Sequence, residues 1–149
     1  MDPVSHADRE IASQPQIWSE VADFAPSVIG LLPRPGERVA ITGCGSSWFM
    51  AMSYAALRES MGQGETDVWV ASEYNFKRKY DKVIALSRSG TTTEVVEATS
   101  RIKDSSLVIT AIHNSPISAN TTHEIVMPFA DEESVLQTRD RKSTRLNSS

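Results

Sequence analysis

Along the first part of the chain, apolar residues recur at spacings of three, four and seven. Ile11, Ile17, Trp18, Val21, Phe24, Val28 and Ile29 share one helical face over 9–32, and Pro15 and Pro26 are expected to interrupt it. Pro33-Arg34-Pro35-Gly36 then forces a turn. Arg38-Val39-Ala40-Ile41-Thr42 follows, a short apolar run rich in β-branched residues that ends at Gly43, the pattern of a buried strand. From Ser46 the helical period returns. Phe49, Met50, Met52, Ser53, Ala56, Leu57, Ser60 and Met61 predict a helix that stops at Gly62-Gln63-Gly64. Further strands are predicted over 67–72, 82–87 and 107–112, a shorter one over 124–128, and a helix over 92–103. Strands alternating with helices, two of the strands apolar on both faces, predict an α/β fold whose parallel sheet is covered on both sides.

Two strand-to-helix turns carry the candidate chemistry. Gly43-Cys44-Gly45-Ser46-Ser47 follows the first strand, and Ser87-Arg88-Ser89-Gly90-Thr91-Thr92-Thr93-Glu94 follows the third. Each sets small residues and hydroxyls at a helix start, where unpaired backbone N–H groups and a partial positive charge favour an anion. Glycine lets the backbone come close to a ligand, and rotatable hydroxyls add donors. In a parallel sheet both turns fall on one edge, the ligand-binding edge of open α/β folds. The chemistry implied is a phosphate, or a phosphorylated polar molecule, held by neutral donors. Plain helix capping is the competing reading: Thr91-x-x-Glu94 matches a capping box, and Ser46 or Ser47 fits an N-cap.

Other phosphate motifs fit less well. The P-loop pattern is absent, and Gly43-x-Gly45 begins a dinucleotide fingerprint whose third glycine position holds Trp48. Glu73 mimics the ribose-binding acid, so a nucleotide reading stays open.

Composition narrows the classes. The 149 residues are 40% hydrophobic and 23% charged, ordinary globular usage for one compact domain. The single cysteine, Cys44, excludes an internal disulfide framework and any cysteine-based metal cage. A net charge of −4 offers no basic field for nucleic acid or an anionic membrane. No apolar run reaches transmembrane length, and the N-terminus lacks the basic start and apolar core of a signal peptide. A cytoplasmic protein is expected, with no metal or organic cofactor.

The two turns resemble those of the SIS (sugar isomerase) domain family. Cys44-Gly45-Ser46-Ser47 is similar to the C-G-[TS]-S turn of the isomerase half of glucosamine-6-phosphate synthase, and Ser87-Arg88-Ser89-Gly90-Thr91-Thr92 to the family's S-x-S-G-x-T signature. Ala71-Ser72-Glu73-Tyr74 resembles its A-S-E-[FY] segment, and Val135-Leu136-Gln137-Thr138-Arg139 its V-A-S-T-K. The string from Ser87 to Glu94 looks closest to the AgaS-like branch, which handles amino-sugar phosphates. The resemblance implies a flavodoxin-like three-layer sandwich with a five-stranded parallel sheet that binds phosphosugars. It places Ser87, Ser89 and Thr92 on the phosphate and Ser46 and Ser47 on the sugar phosphate, with Cys44, Gly45, Arg88, Val135 and Gln137 in the same site. Arg88 stands where the synthase has Gln and offers a charged fork to a phosphate or carboxylate; Gln137 stands where it has Ser.

Isomerase members pair two such domains and draw their acid–base residues largely from the second domain and from neighbouring subunits. No residue here takes either role. Glu94 reads as a cap partner, Glu73 as structural, and His113 as a loop residue after the fourth strand. His123 falls on the wrong sheet edge, and Cys44 reads as a packing residue rather than an activated thiol.

The expected organisation is an N-terminal helical segment over 1–32 and an SIS phosphosugar-binding domain over 33–139, the first of a pair. The last ten residues, 140–149, match the in-frame translation of a sequencing adapter and are expected not to be native. The function this implies is sugar-phosphate binding within an aldose–ketose isomerase or deaminase for amino-sugar or keto-sugar phosphates. A second SIS domain and a homodimer are its expected partners. A non-enzymatic sugar-phosphate sensor and a nucleotide-binding α/β protein are the alternatives. The segment 1–32, with one Arg and no Lys, is too short and too acidic for a helix-turn-helix domain.

Overall fold

The computed structural model describes residues 5–132. Its centre is a five-stranded sheet, ordered β2-β1-β3-β4-β5. The strands are β1 (Val39–Gly43), β2 (Thr66–Val70), β3 (Lys82–Leu86), β4 (Ser106–Thr110) and β5 (His123–Val126). Every pairing is parallel; Ile41, for example, lies opposite Val68 on one side and Ile84 on the other. This is the strand order of a flavodoxin-like fold, the fold that the family resemblance implied.

Because successive side chains point to opposite faces, each strand feeds two cores. Ala40, Val83, Ala85 and Val108 face one way and pack with Val95, Ala98 and Ile117. Val39, Ile41, Ile84, Leu107 and Ile125 face the other, against Ala51 and the half-buried Phe24, Val28 and Leu31. The covering helices are α1 (His6–Val28) and α2 (Ser46–Ser60) on the second face, and α3 (Thr93–Arg101) and α4 (Pro116–Asn120) on the first. Val39, Val83, Leu107 and Val108 are fully buried, which explains why the strands read as near-continuous apolar runs.

Three expectations are corrected. First, Pro15 and Pro26 do not interrupt α1, which runs 23 residues through both. A complete capping box at Ser5 and Asp8 starts this helix, and its Phe24 and Val28 dock on the sheet, which offsets the lost backbone bonds. Second, the apolar residues that predicted α2 do not form its buried face. Ser47, Ala51, Ala55 and Arg58 face the protein, while Phe49, Leu57 and Met61 are each more than half exposed. Alanine lets the helix backbone sit close to the sheet, and the bulky side chains are left outside. Third, the strand over 67–72 ends at Val70, where Ala71–Glu73 winds into a 3-10 turn. Helix α4 carries no sequence period because it has only five residues. Its signal is local: Ser115 caps it and Pro116 opens it.

Candidate functional site

All strands run the same way, so the turns after β1 and β3 lie on one edge of the sheet. β1 and β3 are neighbours, yet the chain leaves β1 for α2 on one face and β3 for α3 on the other. The two turns therefore flank the topological switch point, where the connections diverge and leave a crevice.

The first turn is built by two glycines with different tasks. Gly43 lies against Ser47: an added Cβ would come within 3.0 Å of the Ser47 Cβ and 3.2 Å of the Leu86 carbonyl oxygen. Gly45, with φ of 59°, is the residue that precedes α2. Ser46 and Ser47 are thus the first two residues inside the helix, not its cap, which corrects the capping reading for both. Glycine supplies no capping oxygen, so the first N–H groups of α2 remain available at the crevice. Both serines are 7% exposed, and neither hydroxyl hydrogen-bonds within the described residues. Cys44 is half-buried and packs against the core under α3.

The second turn is tied together by its own hydroxyls. Ser87, 2% exposed, accepts the Gly90 N–H at 3.1 Å, and its hydroxyl pairs with that of Thr92 at 3.1 Å. Ser89 accepts both the N–H (3.3 Å) and the hydroxyl (3.0 Å) of Thr91. Gly90 has φ of 66°, and a Cβ there would collide with the Ser115 side chain. The Thr91–Glu94 capping box does not form. The residue before α3 is Thr92, its side chain makes no capping bond, and Thr91 turns to Ser89 instead. The start of α3 is left open, as is that of α2.

Arg88 is held from behind. Its Nη1 donates to Asp131 Oδ1 at 2.8 Å, so its fork is engaged by a carboxylate of this chain. Its backbone carbonyl accepts the Ala111 N–H and the Thr110 hydroxyl, both at 3.0 Å. A cavity of about 130 Å³ between the turns touches Ser47, Ser87 and Arg88 and is floored by Ile109 and Met127.

The structure thus brings Cys44, Gly45, Ser46, Ser47, Ser87, Arg88, Ser89 and Thr92 to one edge. Val135 and Gln137 lie outside the described residues. Glu73 stands exposed on the 3-10 turn after β2. Trp48 packs on Phe49, with ring centroids 5.0 Å apart, while Ser47 makes the close contact with Gly43. His113 is exposed, 3.8 Å from a Glu124 carboxylate oxygen, and His123 opens β5 on the opposite edge. Ser115, Thr110 and Asp131 support the second turn and were not anticipated. Only Ser115 gave a signal, the Ser-Pro helix start.

Known proteins share this fold. Glutamine–fructose-6-phosphate aminotransferase [isomerizing] of Sulfolobus acidocaldarius is 25% identical over 141 residues, which cover 88% of this chain and 24% of that protein. The C-terminal domain of glucosamine-fructose-6-phosphate aminotransferase from Francisella tularensis superposes with a TM-score of 0.74 at 21% identity, over 93% of this chain and 44% of that one. The Vibrio vulnificus NanR protein complexed with ManNAc-6P superposes with a TM-score of 0.59 at 21% identity, over 91% of this chain and 53% of that one. This chain therefore spans about a quarter of the curated relative and under half of the Francisella structure. The sequence pattern of the SIS domain matches residues 34–140, both hydroxyl-rich turns included, and the chain belongs to the SIS domain family.

Proposed function

We propose that the chain binds a sugar phosphate at the switch-point crevice, as the first SIS unit of an aldose–ketose isomerase or deaminase acting on amino-sugar or keto-sugar phosphates. The observation that carries this is the pair of open helix starts on one edge, each fringed by hydroxyls. In this reading the Ser89 and Thr92 hydroxyls and the first N–H groups of α3 take the phosphate. Ser87 shapes the turn through Gly90, and Ser46 and Ser47, whose hydroxyls are unspent among the described residues, reach the sugar. The names of the related aminotransferases and the ManNAc-6P bound to the Vibrio protein support a phosphosugar over a nucleotide.

Proton transfer is assigned to residues beyond this unit. Glu73 and His113 are exposed, and neither belongs to the two turns. The exposed apolar side of α2 supports a partner there, a second SIS domain or a second subunit. Among the described residues no helix is long and apolar enough to cross a membrane. A second reading is a sensor that binds without catalysis, since the described residues place no acid–base pair at the crevice.

Thermal unfolding in the presence of glucosamine-6-phosphate, galactosamine-6-phosphate or NAD separates these classes. A sugar phosphate at a hundred times its Kd is expected to stabilise the fold by ~2.7 kcal/mol, and NAD is expected to do nothing. A folded sample that neither sugar phosphate stabilises overturns the proposal. Aldose–ketose interconversion by the chain joined to a second domain then distinguishes enzyme from sensor.

A further inference from the structure

A second feature lies on the opposite edge of the sheet, where the chain enters β3 and α3 ends. A cavity of about 450 Å³ opens there, walled by Tyr74, Arg78, Lys79, Arg101, Lys103 and Asp104. That volume falls within the range of small-ligand sites. Tyr74 is 6% exposed and its ring is wedged among those of Trp69, Phe76 and Tyr80. Its hydroxyl is shielded from bulk water and has no hydrogen-bond partner among the described residues. Buried polar groups without partners are rare in folded proteins, and each calls for an explanation.

The charges around it are one-sided. Arg78 is spent on Asp67 at 2.8 Å, and Asp104 accepts the Tyr80 N–H at 3.3 Å. Lys79, Arg101 and Lys103 have no ion pair among the described residues. Basic residues suit the C-terminal end of α3, which accounts for Arg101 and Lys103 but for neither Lys79 nor the Tyr74 hydroxyl. The Arg101 guanidinium carbon sits over Phe76, 3.8 Å from the ring centroid, a contact that holds the group in place and leaves its N–H donors for an oxyanion. Burial, followed by the neighbouring Tyr80, Asp104 and Asp67, raises the Tyr74 pKa, so its hydroxyl stays a neutral donor.

We propose that this cavity is a second ligand site, separate from the switch-point crevice, for a small organic phosphate that carries hydroxyl groups. Lys79, Arg101 and Lys103 take the phosphate, the Tyr74 hydroxyl donates to an ester or hydroxyl oxygen, and Asp104 accepts from a hydroxyl. A nucleoside monophosphate and a hexose phosphate share this chemistry.

Calorimetric titration of the 149-residue chain with AMP, glucose-6-phosphate and inorganic phosphate tests the proposal. Binding of AMP or glucose-6-phosphate that survives Ser89→Ala is expected, and the ligand that binds identifies the source. That binding is expected to weaken at least tenfold in the Arg101→Gln/Lys103→Gln variant and severalfold in Tyr74→Phe. Tyr74→Phe removes an unpaired hydroxyl, so it is expected to unfold no earlier than the parent chain. Three results overturn the proposal: no binding of either organic phosphate beyond what Ser89→Ala abolishes, binding indifferent to both variants, or inorganic phosphate binding as tightly as the esters. Failure here leaves the switch-point reading intact, since that reading depends on Ser89 and its neighbours.

Discussion

At the scale of residues, the candidate site depends on glycines placed where no side chain fits. Gly90 combines a left-handed backbone with direct contact against Ser115, so Gly90→Ala meets both backbone strain and a steric clash. The strain alone is worth about 1–3 kcal/mol. Urea unfolding is expected to show a loss in that range or greater, together with weaker sugar-phosphate binding. The hydroxyls of these turns were legible in the sequence because Ser and Thr cluster where a strand meets a helix. Their individual partners were not. Thr91-x-x-Glu94 has the spacing of a capping box, but the helix begins one residue later than that spacing requires, and Ser89 captures Thr91.

Asp67 shows the same limit. Burial alone would raise its pKa, but hydrogen bonds from Tyr80 (2.6 Å) and Arg78 (2.8 Å), with the charges of Arg78 and Arg38, outweigh that and lower it. A depressed carboxyl adds stability above its unfolded-state pKa, and that contribution is lost as pH falls through the folded value. Stability is therefore expected to drop below about pH 4, and Asp67→Asn to flatten that part of the acid limb. Acid titration of the two proteins by circular dichroism makes the comparison. An unchanged acid limb in Asp67→Asn would contradict it.

At the scale of elements, the strands were the most legible part of the chain. A strand covered on both sides has apolar residues at consecutive positions, and the observed strands fall within or close to the predicted runs. Helix α2 was legible as a helix but not in its orientation. Its periodic residues include Phe49, Leu57 and Met61, which point outward, while small Ala51 and Ala55 make the inner contact. Hydrophobic periodicity cannot distinguish a face that meets this domain from one that meets something else.

The other inward residue of α2 is Arg58, 2% exposed and in no ion pair among the described residues. Its guanidinium satisfies the carbonyls of Arg34, Glu37, Gly64 and Glu65 and the Thr66 hydroxyl, at 2.9 to 3.4 Å. It pins the chain entering β1 to the chain entering β2. Arg58→Ala leaves several of these acceptors unpaired, each worth about 1–3 kcal/mol when buried, so chemical denaturation is expected to register a loss above ~2 kcal/mol. Sugar-phosphate affinity, measured where the variant is folded, is expected to hold, because Arg58 lies on the far edge from the turns. A basic residue in the last turn of a helix reads as a partner for the helix C-terminus, so nothing in the sequence signalled this role.

At the scale of the whole molecule, the strand order brings two separate motifs together as one candidate site. Neither turn is specific alone; placed after adjacent strands with diverging helices, they face a common crevice. The sequence pattern could suggest a parallel sheet, but adjacency of β1 and β3 became visible only in the folded chain. The outward face of α2 belongs to this scale too, since Phe49, Met52, Leu57 and Met61 are 57%, 45%, 59% and 62% exposed. Exposed apolar surface of this kind drives association. Sedimentation of the Leu57→Glu/Met61→Glu variant is expected to show less self-association than the parent chain at equal concentration, with an unchanged melting temperature. Unaltered sedimentation would contradict a docking role for this face.

In the proposed function the β1–α2 and β3–α3 turns hold a sugar phosphate together. The most direct test is a titration of the isotopically labelled chain with glucosamine-6-phosphate, followed amide by amide in nitrogen–proton correlation spectra. Saturable shifts are expected to concentrate at Ser46 and Ser47 and from Ser89 to Glu94, and to be lost together in Ser89→Ala. Shifts confined to one turn, or none in a folded sample, would contradict it.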